Sequence, residues 1–190
     1  MDVLLGQGHP IDLIVKYFAS DGVTLNFSKY IYVEYGRTLE RTMFSEKSGA
    51  VGSFWLEYQL KALRKSEELA FHSKVGKHGN EYHFPIIDFV GRHDVDELRK
   101  AFLAVFPDWD SVLHIFDSGR SYHGYIPQLL KKSEWIAFLG KLLLVNPPPH
   151  RGGPIVDARW IGHSIVNQFS ALRWSWNTSM YLGIPRGDNL

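Results

Sequence analysis

Tyr82-His83-Phe84-Pro85-Ile86-Ile87-Asp88-Phe89-Val90 is the stretch on which the fold of this 190-residue chain turns. From Ile86 to Val90 it is apolar on both strand faces except for one carboxylate. Such runs belong to strands buried on both sides. An unpaired, ionised carboxylate in that setting costs on the order of several kcal/mol. Asp88 is therefore either a metal ligand at the mouth of a sheet or a structural carboxylate met by an arginine or by backbone donors.

Working outward, residues 70–75 pair as a strand with 82–90 across the turn Gly76-Lys77-His78-Gly79-Asn80. Further upstream, 54–69 carries Trp55, Tyr58, Ala62 and Leu63 among charges, the spacing of an amphipathic helix. Aromatic and β-branched residues at 30–35 predict a strand, with 41–46 as its partner. Residues 11–18 suit a short helix or strand. Downstream, Asp94 caps a helix through Phe106 that Pro107 ends. Residues 111–116 and 121–126 form a hairpin, and Ser133 caps a helix through Leu144. A proline- and glycine-rich loop covers 146–154. Ile155-Val156-Asp157 is a strand end, 159–167 a helix, and 171–175 and 180–184 are closing strands. The sum is an α+β fold, with a mixed or mainly antiparallel sheet flanked by helices. The expectation is one domain over 1–190, with a motif-bearing core at 82–186 and an unassigned part at 1–80. The end from Pro185 to Leu190 reads as the start of a linker.

Composition narrows the classes. The absence of cysteine excludes disulfides and thiolate zinc sites. Residues 1–6 lack the pattern of a signal peptide, and no apolar run reaches the roughly 20 residues that span a bilayer. A cytoplasmic chain without membrane partners is expected. The net charge of +1 is far from the strongly basic balance typical of a nucleic-acid binder, yet leaves room for a locally basic groove. Six Trp, nine Tyr and twelve Phe fit an ordinary packed core first; any that face solvent would suit base or ribose stacking. The histidines show no compact metal-binding spacing. His-Glu-x-x-His and a Walker loop are absent, and Gly6-Gln7-Gly8 is too short for a dinucleotide fingerprint.

Two further stretches carry chemistry. In Phe116-Asp117-Ser118-Gly119-Arg120-Ser121-Tyr122-His123 a strand enters a Ser-Gly-Arg turn and leaves with a histidine. Gly119 allows close backbone approach to a ligand. Ser118 and Ser121 add hydroxyls, Arg120 a fork for phosphate oxygens, and His123 another donor. Taken alone, the same segment is an ordinary hairpin with a surface arginine. In Ile155-Val156-Asp157-Ala158-Arg159-Trp160 an apolar strand again ends in an aspartate. Arg173, between apolar neighbours, needs a carboxylate or a phosphate.

In this order the three stretches resemble the archaeo-eukaryotic primase superfamily: primase small subunits, primase-polymerases and the polymerase domains of end-joining ligases. Its first motif, a strand with Asp-hydrophobic-Asp, falls on Ile86 to Val90. Its small-x-His motif falls on Ser121-Tyr122-His123, and its hydrophobic-Asp motif on Val156-Asp157. Ser118-Gly119-Arg120 and the run from Phe169 to Pro185 are similar to the eukaryotic-type small subunits. The resemblance covers roughly 82–186. It implies a primase-polymerase (RRM-like) core and template-directed nucleotidyl transfer, in which two divalent ions hold the attacking hydroxyl and the leaving pyrophosphate. Asp88 and Asp157 would be the catalytic ligands for Mg²⁺ or Mn²⁺. Ser118, Arg120, Ser121, His123 and Arg173 would hold the nucleotide. The implied partners are nucleoside triphosphates, single-stranded or primer-template nucleic acid, and a partner subunit or adjoining domain.

One position departs from the pattern. Residues i and i+2 of a strand share a face, so the second aspartate of the first motif belongs at position 90, where this chain has Val90. The site then binds one metal; or Asp117, Asp94 or Asp96 replaces the missing carboxylate; or the domain keeps nucleotide or single-strand binding without polymerisation. A structural or interaction domain of unrelated fold, with coincidental motifs, is a further alternative.

Overall fold

A computed structural model describes residues 8–19, 22–31 and 41–187. Its elements in chain order are α1 (Pro10–Phe18), β1 (Thr24–Ile31), β2 (Arg41–Lys47), α2 (Ser53–Lys61), β3 (Glu67–Lys77), β4 (Asn80–His83), β5 (Ile86–Asp88), α3 (Val95–Leu103), β6 (His114–Asp117), β7 (Tyr122–Tyr125), α4 (Lys132–Leu142), α5 (Ala158–Asn167) and β8 (Ala171–Arg173), with short 3-10 turns between some of them. The fold is α+β, and every described ladder is antiparallel.

The strands form two sheets. The first has the order β2-β1-β3-β4, with β8 also paired to β3. The second has the order β5-β7-β6. Pro85 marks the break between them. Residues 82–90, which read as one strand, divide at Phe84-Pro85 into β4 of the first sheet and β5 of the second. Proline lacks the N–H that a continuing ladder needs.

Alternation sorts the second sheet's side chains. Ile86, Phe116 and Tyr125 join a core with Phe27, Phe71, Val75 and Trp174 of the first sheet region. Ile87, Phe89 and Ile115 point the other way, into a core with Leu98 and Phe102 of α3, Phe138 and Leu139 of α4, and Ile161 of α5. Asp88 shares the face of Ile86, so it looks toward the first sheet. Trp174 ties the sheets: its ring stacks on Phe71 at 4.8 Å, and its Nε1 donates to Tyr125 Oη at 3.0 Å.

Several expected elements differ. The helix expected over 54–69 stops at Lys61. The chain turns at Arg64–Glu67 with Ser66 at positive φ, and residues 67–69 pair with β1 instead, because a strand partner outweighs local helical spacing. Phe54 is left 90% exposed. The α3 helix begins at its Asp94 cap as read but ends at Leu103, before a 3-10 turn over 107–112. The α4 helix begins at Lys132 rather than after a Ser133 cap; Glu134 accepts the Lys131 N–H at 2.7 Å. No strand forms over 180–184: the Tyr181 N–H donates to Thr178 O at 3.4 Å, and the carbonyls of Tyr181 and Gly183 accept from the side chains of Trp176 and Arg173. Residues 32–35 of the expected 30–35 strand, and residues 1–6, lie outside the described residues.

Candidate functional site

The site forms where β5 runs out of the second sheet. Asp88 pairs with His123 of β7 on one side. On the other, the segment at 155–157 bonds to β5 like a short strand: Asp157 N–H donates to Asp88 O at 3.0 Å and Val90 N–H to Ile155 O at 2.8 Å. Asn146 fastens this segment from behind, accepting the N–H groups of Ile155 and Val156. Three motifs distant in sequence thus meet at one sheet end, and the backbone ladder sets their spacing.

Asp88 keeps 29% of its side chain exposed. Its pKa rises from the usual 3.8 to about 7, first through desolvation and then through the Asp157 carboxylate, with Arg173 opposing. Asp157 is half-buried and also N-caps α5, its Oδ1 accepting the N–H groups of Arg159 at 2.8 Å and Trp160 at 3.1 Å. His123 Nε2 lies 3.9 Å from Asp88 Oδ1, too long for a hydrogen bond. Burial, then the charges of Arg173 and His9, hold the imidazole well below its ordinary pKa. It is therefore neutral, and the contact is not an ion pair. His123 Nδ1 is buried without a hydrogen-bond partner among the described residues.

The adjoining turn is heavily braced. Ser118 is buried; its N–H donates to Ser121 O at 2.9 Å, and the two hydroxyls lie 3.1 Å apart. Gly119 has φ +97, and a Cβ there would fall 2.9 Å from Gly183 N, so glycine is required on two counts. Arg120 is exposed. Arg173 is buried beneath the turn: its guanidinium donates to the carbonyls of Ser118, Ser175 and Gly183 and lies 3.9 Å from the Tyr181 ring centroid. Its charge reaches Asp88 and His123, but its terminal nitrogens are bound to backbone.

Val90 shares the face of Asp88, and its backbone bonds to Ile155. Of the three carboxylates weighed as replacements, Asp117 is paired with Arg92 at 2.6 Å and Asp94 caps α3. Asp96 remains exposed in the first turn of α3. Among the described residues no three His, Asp or Glu side chains converge as a metal site. Hard oxygens from two carboxylates suit one Mg²⁺ or Mn²⁺ completed by water and phosphate oxygens. They fall short of a two-ion clamp. A groove of ≈ 470 Å³ at the β3–β4 turn, lined in part by Asn26, Lys47, Lys74 and His78, contains none of these residues.

Arg92 and Tyr181 escaped the sequence reading. Arg92 sits in an irregular loop with no periodicity. Tyr181 lay in an expected strand.

No helix among the described residues is long and apolar enough to cross a membrane. Neither a curated protein nor a solved structure matches the chain significantly. A family model described as archaeo-eukaryotic primase 1D-like (AEP-like) matches residues 47–186, which includes Asp88, the 118–123 turn, Asp157 and Arg173 and begins well upstream of the motif-bearing core. With most of its length matched and its three motifs meeting at one sheet end, the chain belongs to the archaeo-eukaryotic primase-like family.

Proposed function

We propose that this primase-like domain binds a nucleoside triphosphate together with one divalent cation. Asp88 and Asp157 hold the cation, and Ser118, Arg120, Ser121 and His123 hold the phosphates. The observation that carries this reading is the meeting of Asp88 and Asp157 at one sheet end, joined by the Asp157 N–H to Asp88 O hydrogen bond at 3.0 Å; burial and the Asp157 carboxylate push the Asp88 carboxyl up. A cation between the two relieves both costs at once. The exposed Arg120 offers a fork for phosphate oxygens, and His123 Nδ1 has no hydrogen-bond partner among the described residues. Arg173 contributes positive charge from below and the shape of the turn, its nitrogens being occupied by carbonyls. The test is thermal stabilisation by a nucleotide with Mg²⁺ or Mn²⁺, expected for the wild type and lost in Asp88→Ala and Arg120→Ala. A wild type that shows neither stabilisation nor calorimetric binding removes the reading.

Family membership favours a second reading, template-directed nucleotide addition. Val90 argues against it, since it supplies no second bridging carboxylate. Primer extension with Mg²⁺ or Mn²⁺ separates the two. Extension that Asp88→Ala abolishes establishes a nucleotidyltransferase, whereas binding without extension establishes a nucleotide-binding module.

A further inference from the structure

The Ser118-Gly119-Arg120 turn is gripped from behind by two arginines. Arg92 places one terminal nitrogen 2.6 Å from Asp117 Oδ2 and the other 2.6 Å from the Gly119 carbonyl. Arg173 donates to the adjacent Ser118 carbonyl. Asp117 Oδ1 accepts the Gly119 N–H at 2.6 Å, closing the arrangement. In a trans peptide the carbonyl and the following N–H point in opposite directions. Drawing the Gly119 carbonyl onto Arg92 therefore turns the Arg120 N–H away from that guanidinium. Among the described residues neither the Arg120 N–H nor the Ser121 N–H donates to a backbone carbonyl. An amide without a backbone acceptor beside an exposed arginine is a donor that an anion can accept from.

We infer that Arg92 is a positioning residue: it locks the Gly119–Arg120 peptide so that the Arg120 N–H, together with the Arg120 side chain, receives a polyphosphate oxygen. The inference rests on the nucleotide-binding reading above and adds a residue to it. Arg92 touches no phosphate itself. Its side chain is 52% exposed, and an exposed ion pair contributes little to folding. Lysine at this position keeps the charge but lacks a planar fork to hold Asp117 and the Gly119 carbonyl together.

The experiment titrates the full ¹⁵N-labelled chain with magnesium tripolyphosphate and with MgATP, following the Arg120 amide resonance and the Kd in wild type and Arg92→Lys. Both proteins are measured well below their melting temperatures, with folding shown by the same spectra. The wild-type Arg120 amide is expected to shift with saturation by either probe. Arg92→Lys is expected to weaken both by about tenfold, the worth of a charge-assisted hydrogen bond, and to shrink the Arg120 shift. A Kd unchanged in Arg92→Lys, or an Arg120 amide that stays still while the wild type binds, overturns this inference and leaves the nucleotide reading standing. A wild type that binds neither probe overturns both.

Discussion

Asp88 concentrates the tension between stability and function. Folding raises its pKa from 3.8 to about 7, so the native state keeps a proton that the unfolded chain releases between those values. This favours folding at low pH, and the advantage is lost as pH rises through 7. Asp88→Asn should therefore stabilise the cation-free protein at pH 8, by about 1–3 kcal/mol, as read from denaturant midpoints. The same variant should lose any thermal shift with Mn²⁺. Destabilisation of cation-free Asp88→Asn at pH 8 would show that the carboxylate is paired structurally, as the sequence alone left open. Arg120→Ala, at an exposed position, should leave melting within about 0.5 kcal/mol of wild type while abolishing nucleotide-dependent stabilisation.

At the scale of elements, the turn between β6 and β7 and the cap of α3 make separate demands. Gly119→Ala meets both a positive φ and the backbone of Gly183. It should cost about 1–3 kcal/mol and weaken nucleotide binding along with stability. Asp94 accepts the N–H groups of Asp96 at 2.9 Å and Glu97 at 3.3 Å. Asp94→Ala should cost about 1 kcal/mol with nucleotide affinity unchanged, because this carboxylate serves the helix. A loss of affinity in Asp94→Ala would return it to the site as a replacement for the carboxylate missing at Val90.

For the whole molecule, buried histidines set the acid limit. His9, His72 and His83 are pushed down to about 4, 3 and 4, in each case chiefly by burial. As pH falls below 6.5 the unfolded chain takes up these protons before the native state does, so stability drops between about pH 6.5 and 4. Asp88 works in the opposite direction but is one group against these three, with His123 and His114 lowered as well. The melting temperature should therefore fall steadily across that window; a flat profile would mean that these imidazoles reach water. The sheets themselves are tied by Trp174, fully buried between Phe71 and Tyr125. Trp174→Ala should cost about 3–5 kcal/mol in chemical denaturation.

What the sequence determined on its own was whatever has a local cause. The apolar run around Asp88 makes a strand wherever it is placed. Asp94 starts a helix through its own side chain, and the 118–123 segment folds back as a hairpin because Gly119 permits it. The order of the three motifs also carried the resemblance to the family that the match over 47–186 then showed. The tertiary structure decided what depends on partners remote in the chain. Residues 67–69 left a helical pattern for β1, residues 82–90 were shared between two sheets, and 180–184 stayed irregular because their hydrogen bonds went elsewhere. At the site, Arg173 reads in sequence as needing a carboxylate or a phosphate but spends its nitrogens on carbonyls 55, 2 and 10 residues away. Arg92, unremarkable in sequence, holds the turn 27 residues on. A side chain's chemistry is written in its residue type, but the acceptor it meets is chosen by packing, and only the folded chain specifies that choice.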